Sequence, residues 1–179
     1  MRRDRQRQST AFRRRIYSHP GQLYCDLRYV AARRGLVRRA MRELISFDFR
    51  ERLMMVVTEV NGCRYCSYYH ARQSRAAGIS EAELRELLAG TIPHDAPADE
   101  LPALLYARDW AEHDARPSAE ADRHLDDVYG RDRADAIRIA LHMIRIGNLL
   151  GNTADYLLYR LTFGRAGLHR NEARFDATR

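Results

Sequence analysis

The sequence predicts an all-α domain. Apolar residues recur at helical spacing through most of the chain, and no run of β-branched residues alternates with period two between turns. Gly, Pro and capping residues punctuate the periodic stretches at helix-length intervals, which predicts a bundle of about six to eight helices. The chain has 179 residues. One domain of that size buries roughly 70% of its unfolded surface and needs no disulfide or metal to hold a core.

The elements follow in order. Residues 22–45 place Leu23, Leu27 and Val30, then Leu36, Met41 and Leu44, at helical positions, with a break expected at Gly35. Cys25 falls among Leu23, Tyr24 and Leu27 and is expected to be a buried apolar residue. Asp48 and Glu51 have the spacing of a capping box. The helix they open contains the longest apolar run, residues 53–57, and stops at Asn61-Gly62. A second helix is predicted from Cys63 to Gly78. Ser80 with Glu83 forms another capping box, opening a short helix to Gly90. Residues 91–100 are polar and proline-bearing, and read as a loop. Helices are expected around residues 102–115, 118–129 and 132–148, and a last one from 152 to 163, ending at Gly164.

Composition narrows the class. Apolar residues make up 45% and charged residues 31%, a globular balance. The longest apolar run is far short of the roughly 18 residues of a membrane helix. Net charge is +7, and residues 1–15 hold seven Arg against Asp4, so the remainder is nearly neutral. A basic, solvated arm is expected over residues 1–18, ahead of a single domain over 19–179. No aromatic stacking platform accompanies the arginines, so nucleic acid is not an expected partner. No apolar stretch follows the basic start, so a cytoplasmic protein is expected. Three cysteines allow at most one intrachain pair, unlike a secreted disulfide scaffold.

The stretch that carries chemistry has the skeleton E-x11-C-x2-C-x3-H: Glu51, Cys63, Cys66 and His70. On a helix Cys63 and His70 lie only ~20° apart and Cys66 ~60° from Cys63, so all share one face. His70 sits one turn after Cys66, in reach of its thiol. Cys63 lies in the first turn, where unpaired N–H groups favour a thiolate. A thiolate, an imidazole that accepts its proton and a second thiol that resolves the product together fit dithiol redox chemistry. Antiparallel packing across Gly62 would bring Glu51 beside His70 as an orienting carboxylate. Glu59 is a second candidate carboxylate, read as solvated or secondary. A zinc module held by Cys63, Cys66 and His70 is an alternative, although no second C-x2-C or H-x3-H supplies a fourth ligand. His142, in an apolar context, reads as a core histidine. Asn148, Asn152 and Asp155 recur at i, i+4, i+7 beside Gly147 and Gly151, a polar stripe able to line a pocket or join helices. Tyr65, Tyr68 and Tyr69 are candidate site walls. His94, His113, His124 and His169 carry no usable signal.

Glu51 through His70, with Ala71 to Gly78 and the Ser80 capping box, resembles the core of the AhpD-like alkylhydroperoxidase and carboxymuconolactone decarboxylase family. The resemblance covers residues 47–90. It implies an AhpD-like helical bundle, a homo-oligomer (trimer or hexamer) and a peroxide-reducing or disulfide-exchanging site that needs no cofactor. By motif position Glu51, Cys63, Cys66 and His70 would be its catalytic set, with Cys63 and Cys66 the redox disulfide and Tyr65, Tyr69 and Asn148 pocket residues. Glu51 would orient His70, His70 would take the Cys66 proton, and Cys66 would attack peroxide. Cys63 would resolve the sulfenic acid, and a thiol reductant protein would reopen the disulfide. The family's peroxidases carry a second His between the cysteines. Here those positions are Arg64 and Tyr65, and a phenol cannot act as a base near neutral pH. The decarboxylase branch offers an acid–base alternative on Glu51 and His70.

Overall fold

A computed structural model describes residues 12–168, and every regular element in them is helical. The order is α1 (Pro20–Ala32), α2 (Arg34–Arg39), a π-helical turn (Ala40–Leu44), α3 (Phe47–Asn61), α4 (Arg64–Ala76), α5 (Glu81–Leu88), α6 (Leu101–Glu112) and α7 (Ala119–Leu161). α3 is the central element. Its apolar run leaves no polar stripe for solvent, so the helix is buried nearly all round, from Phe49 to Thr58. α4, α5, α6 and α7 pack around it. On the α7 side the small residues Ala134, Ala136 and Ala140 alternate with Ile137, Ile139, Leu141 and Ile144, and all are buried.

Several boundaries differ from the sequence expectation. The first break falls at Arg33, not Gly35. The Arg33 guanidinium stacks on the Tyr29 ring at 3.8 Å and donates to the Tyr29 carbonyl, while Gly35 lies inside α2 facing solvent. Cys25 is exposed, because α1 turns Asp26 inward to meet Arg145 at 3.1 Å and Tyr17 Oη at 2.9 Å. Its neighbours Tyr24 and Leu27 face outward with it. The cap of α3 is Ser46, whose Oγ accepts from the Phe49 N–H at 3.3 Å. Asp48 therefore lies within the first turn, and Glu51 is too far along to close a capping box. Ser80 does cap α5, accepting from the Glu83 N–H at 3.1 Å. α7 runs unbroken through Gly147 and Gly151, so the helices expected at 132–148 and 152–163 are one. It does break at Gly130, whose φ of 70° and ψ of 158° suit only glycine.

Residues 1–11 of the expected basic arm lie outside the described residues. From Phe12 onward the segment is seated on the bundle. Phe12 packs edge-on to Tyr156 with centroids 5.3 Å apart. Arg15 donates to the carbonyls of Ala111 and Glu112, and the Tyr17 N–H donates to Thr153 Oγ1 at 3.0 Å. Among the described residues no helix is long and apolar enough to cross a membrane.

Arg52 ties α3 to α5 and to the start of α6. Its guanidinium donates to Glu83 at 2.5 Å, Asp48 at 2.8 Å and Glu100 at 3.2 Å, and Arg52, Glu83 and Glu100 are all buried. The Glu83 carboxylate is thus spent on Arg52 rather than on its own cap. Burial raises Glu100 to about 7, with Arg52 acting against that rise. Arg52→Met should destabilise the fold by about 3–5 kcal/mol in urea titration, the usual cost of stranding buried charge. The folded value of Glu100 exceeds its unfolded one, so its favourable contribution is complete at acid pH and disappears as pH rises through about 7. The deficit of the variant should therefore be larger above that pH than below it.

Candidate active site

Gly62 makes the site. It adopts φ 72° and ψ 30°, the left-handed conformation that ends α3, and donates its N–H to the Thr58 carbonyl at 2.8 Å. The chain reverses there, and α4 returns along α3. His70, on α4, meets Glu51, near the start of α3: His70 Nδ1 lies 2.7 Å from Glu51 Oε2, and both residues are buried. Arg50 Nε is 3.8 Å from the other Glu51 oxygen. A carboxylate at Nδ1 fixes the tautomer, so Nδ1–H donates to Glu51 and Nε2 is left to take or give a proton.

Cys63 is the N-cap of α4, and its Sγ accepts from the Cys66 N–H at 3.3 Å. Its thiol falls to about 7 from an ordinary value of 9.0. The largest cause is a hydrogen bond from the Cys66 thiol, aided by the N–H groups of Cys66 and Tyr65 and by the Asn148 amide, and opposed by burial. The Cys66 thiol is pushed up, because it donates to Cys63 and because it is buried. The pair therefore shares one proton near neutrality, held on Cys66. None of the three cysteines is joined in a disulfide.

The polar stripe of α7 lies directly beneath the pair. A Cβ at Gly151 would sit 3.1 Å from Cys63 Sγ, and one at Gly147 3.9 Å from Cys66 Sγ. Only glycine at 151 lets the first turn of α4 come this close. Between them Asn148 is fully buried: its Oδ1 accepts from Asn61 Nδ2 at 3.1 Å and its Nδ2 donates to Thr58 Oγ1 at 3.1 Å. Both ends of the amide are fixed, which aims its remaining N–H at the sulfurs. One turn on, Asn152 Nδ2 donates to the carbonyls of Asn61 at 2.7 Å and Arg15 at 2.9 Å. Asp155 then accepts from Arg14 at 2.5 Å, Arg64 at 2.7 Å and Tyr65 Oη at 2.8 Å. Burial works against its charge, but these donors hold its carboxyl below the usual range.

The two sulfurs open onto different cavities. Cys66 and His70 share an apolar one of about 390 Å³ with Met54, Tyr65, Tyr69 and Met143. Cys63 lies on a second one of about 490 Å³, where Glu59, Arg64, Ser67 and Arg75 stand among Tyr68, Ala71 and Leu88. Glu51, Cys63, Cys66 and His70 are thus brought together, Tyr65 and Tyr69 are walls, and Asn148 lies beneath the floor rather than on it. Tyr68 faces the other cavity. His142 is a packing residue, stacked on Tyr29 at 3.9 Å and edge-on to Trp110 at 5.0 Å. Thr58, Asn61 and Arg14 were not singled out by the sequence; only the Asn-Gly stop marked one of them. Among the described residues no three His, Cys, Asp or Glu side chains are grouped as a metal ion would need.

The sequence profile of the carboxymuconolactone decarboxylase family matches residues 21–113, which takes in α1 through α6 and the whole Glu51–His70 motif. No curated protein and no solved structure matches the chain. Helical architecture, motif and profile agree, and the chain belongs to the carboxymuconolactone decarboxylase family.

Proposed function

We propose that the chain is a cofactor-free thiol oxidoreductase that reduces an organic hydroperoxide and forms a Cys63–Cys66 disulfide. The observation that carries this reading is the asymmetric pair of thiols, one on an apolar cavity with His70 and the other at a helix N-cap. An apolar wall favours a hydroperoxide with a hydrocarbon body. Cys66 Sγ gives its proton to His70 Nε2 and attacks the terminal peroxide oxygen. The O–O bond breaks, and the departing alkoxide takes that proton and leaves as an alcohol. Cys66 is left as a sulfenic acid. Cys63, already inclined to ionise, attacks Cys66 Sγ; the S–O bond breaks, and hydroxide leaves as water with a proton from solvent. The depressed Cys63 thiol thus serves the resolving step, and the neighbouring imidazole serves the peroxide step.

The same reading places the protein in a reducing compartment and in a homo-oligomer. Leu157, Leu161 and Phe163 are exposed at the end of α7, a face that a second copy would cover. Light scattering should return a multiple of the 20.8 kDa chain mass.

Intact mass and alkylation mapping after one equivalent of cumene hydroperoxide should show loss of two thiols at Cys63 and Cys66, with Cys25 free. His70→Ala should slow that reaction by about a hundredfold, the usual contribution of one acid–base group. Cys63→Ser should stop at the sulfenic or over-oxidised state, and Cys66→Ser should leave peroxide unreacted. Unreacted thiols in the native chain would overturn the redox reading and move Glu51 and His70 to the acid–base chemistry of the decarboxylase branch. Iodoacetamide reactivity of Cys63 should rise with a midpoint at about 7. Asn148→Ala removes one donor to the thiolate and should move that midpoint upward.

A further inference from the structure

The wall of the cavity shared by Cys66 and His70 carries two further sulfurs, the thioethers of Met54 on α3 and Met143 on α7. Met54 is nearly buried, and Met143 is partly exposed. Tyr65, Tyr69, Ile144 and Gly147 complete the wall and supply no sulfur. A thioether is nucleophilic without losing a proton, and peroxide converts it to a sulfoxide. A hydroperoxide gathered by the apolar wall for Cys66 is therefore held near both thioethers as well. While Cys66 is free, His70 makes its thiol the faster nucleophile. Once Cys66 is joined to Cys63, the thioethers are the nucleophilic sulfurs left on the wall. Met41, in the π-helical turn, is partly exposed like Met143 but lies outside the cavity, and Met55 is fully buried in the core.

We propose that Met143 is a modification site for organic hydroperoxide, converted to the sulfoxide when peroxide outlasts the supply of reductant. The proposal rests on the redox reading above for the order of events, and on the cavity alone for the modification itself. With the Cys63–Cys66 disulfide closed, a lone pair on Met143 Sδ attacks the terminal peroxide oxygen. The O–O bond breaks, and an S–O bond forms. The proton of that oxygen passes to the departing alkoxide, which leaves as an alcohol. The thioether is oxidised, the hydroperoxide is reduced, and no other reactant is consumed. The sulfoxide sets a strong dipole on a wall that is otherwise largely hydrocarbon. An apolar substrate body can cover that dipole only by stripping it of water, so the modified cavity binds hydrocarbon hydroperoxides less well. Sulfoxide reduction restores the thioether, which makes the modification reversible.

The test closes the disulfide of the full-length protein with diamide, removes the excess, and adds cumene hydroperoxide or hydrogen peroxide. Peptide mass mapping then follows oxygen uptake at each methionine. With cumene hydroperoxide Met143 should gain oxygen about tenfold faster than Met41, because the cavity concentrates that reagent. With hydrogen peroxide, which has no hydrocarbon body, the two should differ by no more than about twofold. After the disulfide is reopened with dithiothreitol, the modified protein should show a KM for cumene hydroperoxide raised about fivefold or more. Methionine sulfoxide reductase should bring it back. Met143→Leu, compared with its own untreated KM, should show no such rise after the same treatment. Equal rates at Met143 and Met41 with cumene hydroperoxide, the same preference with hydrogen peroxide, or an unchanged KM in the sulfoxide form would overturn the proposal. Cys66→Ser keeps the cavity without the reactive thiol and should retain the Met143 preference. Preferential Met143 oxidation in a native chain whose thiols ignore peroxide would sink the redox reading and support the modification site. Thiol oxidation with no preference at Met143 would do the reverse.

Discussion

The left-handed turn at Gly62 is the constraint on which the rest of the site depends. It reverses the chain in one residue, sets Cys63 at the N-cap of α4 and sends His70 back to Glu51. A side chain there would be strained twice over. The backbone conformation disfavours L residues, and a Cβ would lie 2.9 Å from Arg14 Cγ. The first turn of α4 rests this closely on α7 because glycine at 151 leaves room for the Cys63 sulfur. Turn, cap and groove together fix the thiols before any reactant arrives.

Two cysteines in adjacent turns would be chemically similar in a free helix. Here the N-cap position gives Cys63 the backbone donors, and the α4 face gives Cys66 the imidazole. The Asn148 amide, held by Asn61 and Thr58, adds a donor that cannot swing away. Division of labour between the thiols thus arises from where the helix starts, not from a difference in residue type. Arg64 and Tyr65, between the two cysteines, are committed to Asp155 and brace the turn.

Much of this was legible in the sequence. Helical periodicity pointed to the all-α bundle, Gly62 to a real break, and the one-face spacing of Cys63, Cys66 and His70 to the cluster. The contact of Glu51 with His70 followed from antiparallel packing. What escaped were features set by tertiary polar contacts. Asp26 turned inward toward Arg145 and left Cys25 outside, against the local apolar pattern. Glu83 looked like a capping partner but answers to Arg52, 31 residues away. Arg14 and Arg15 looked like a solvated charge run, because nothing local reveals that an arginine will find a buried carboxylate or an exposed carbonyl. Composition registers charge, and only the fold assigns its partner.

Asp155 carries one further consequence. It joins Arg14 across a sequence separation of 141 residues, and Arg64 across 91. Contacts of such span form late, since the loops they close are entropically costly until neighbouring structure is in place. The first turn of α4 therefore receives its final brace only after the segment around Arg14 has met α7. A chain emerging during synthesis presents both cysteines long before α7 exists to hold them. The ordered thiol pair is in this sense a late product of folding, and its two sulfurs take their final places only once α7 has been made.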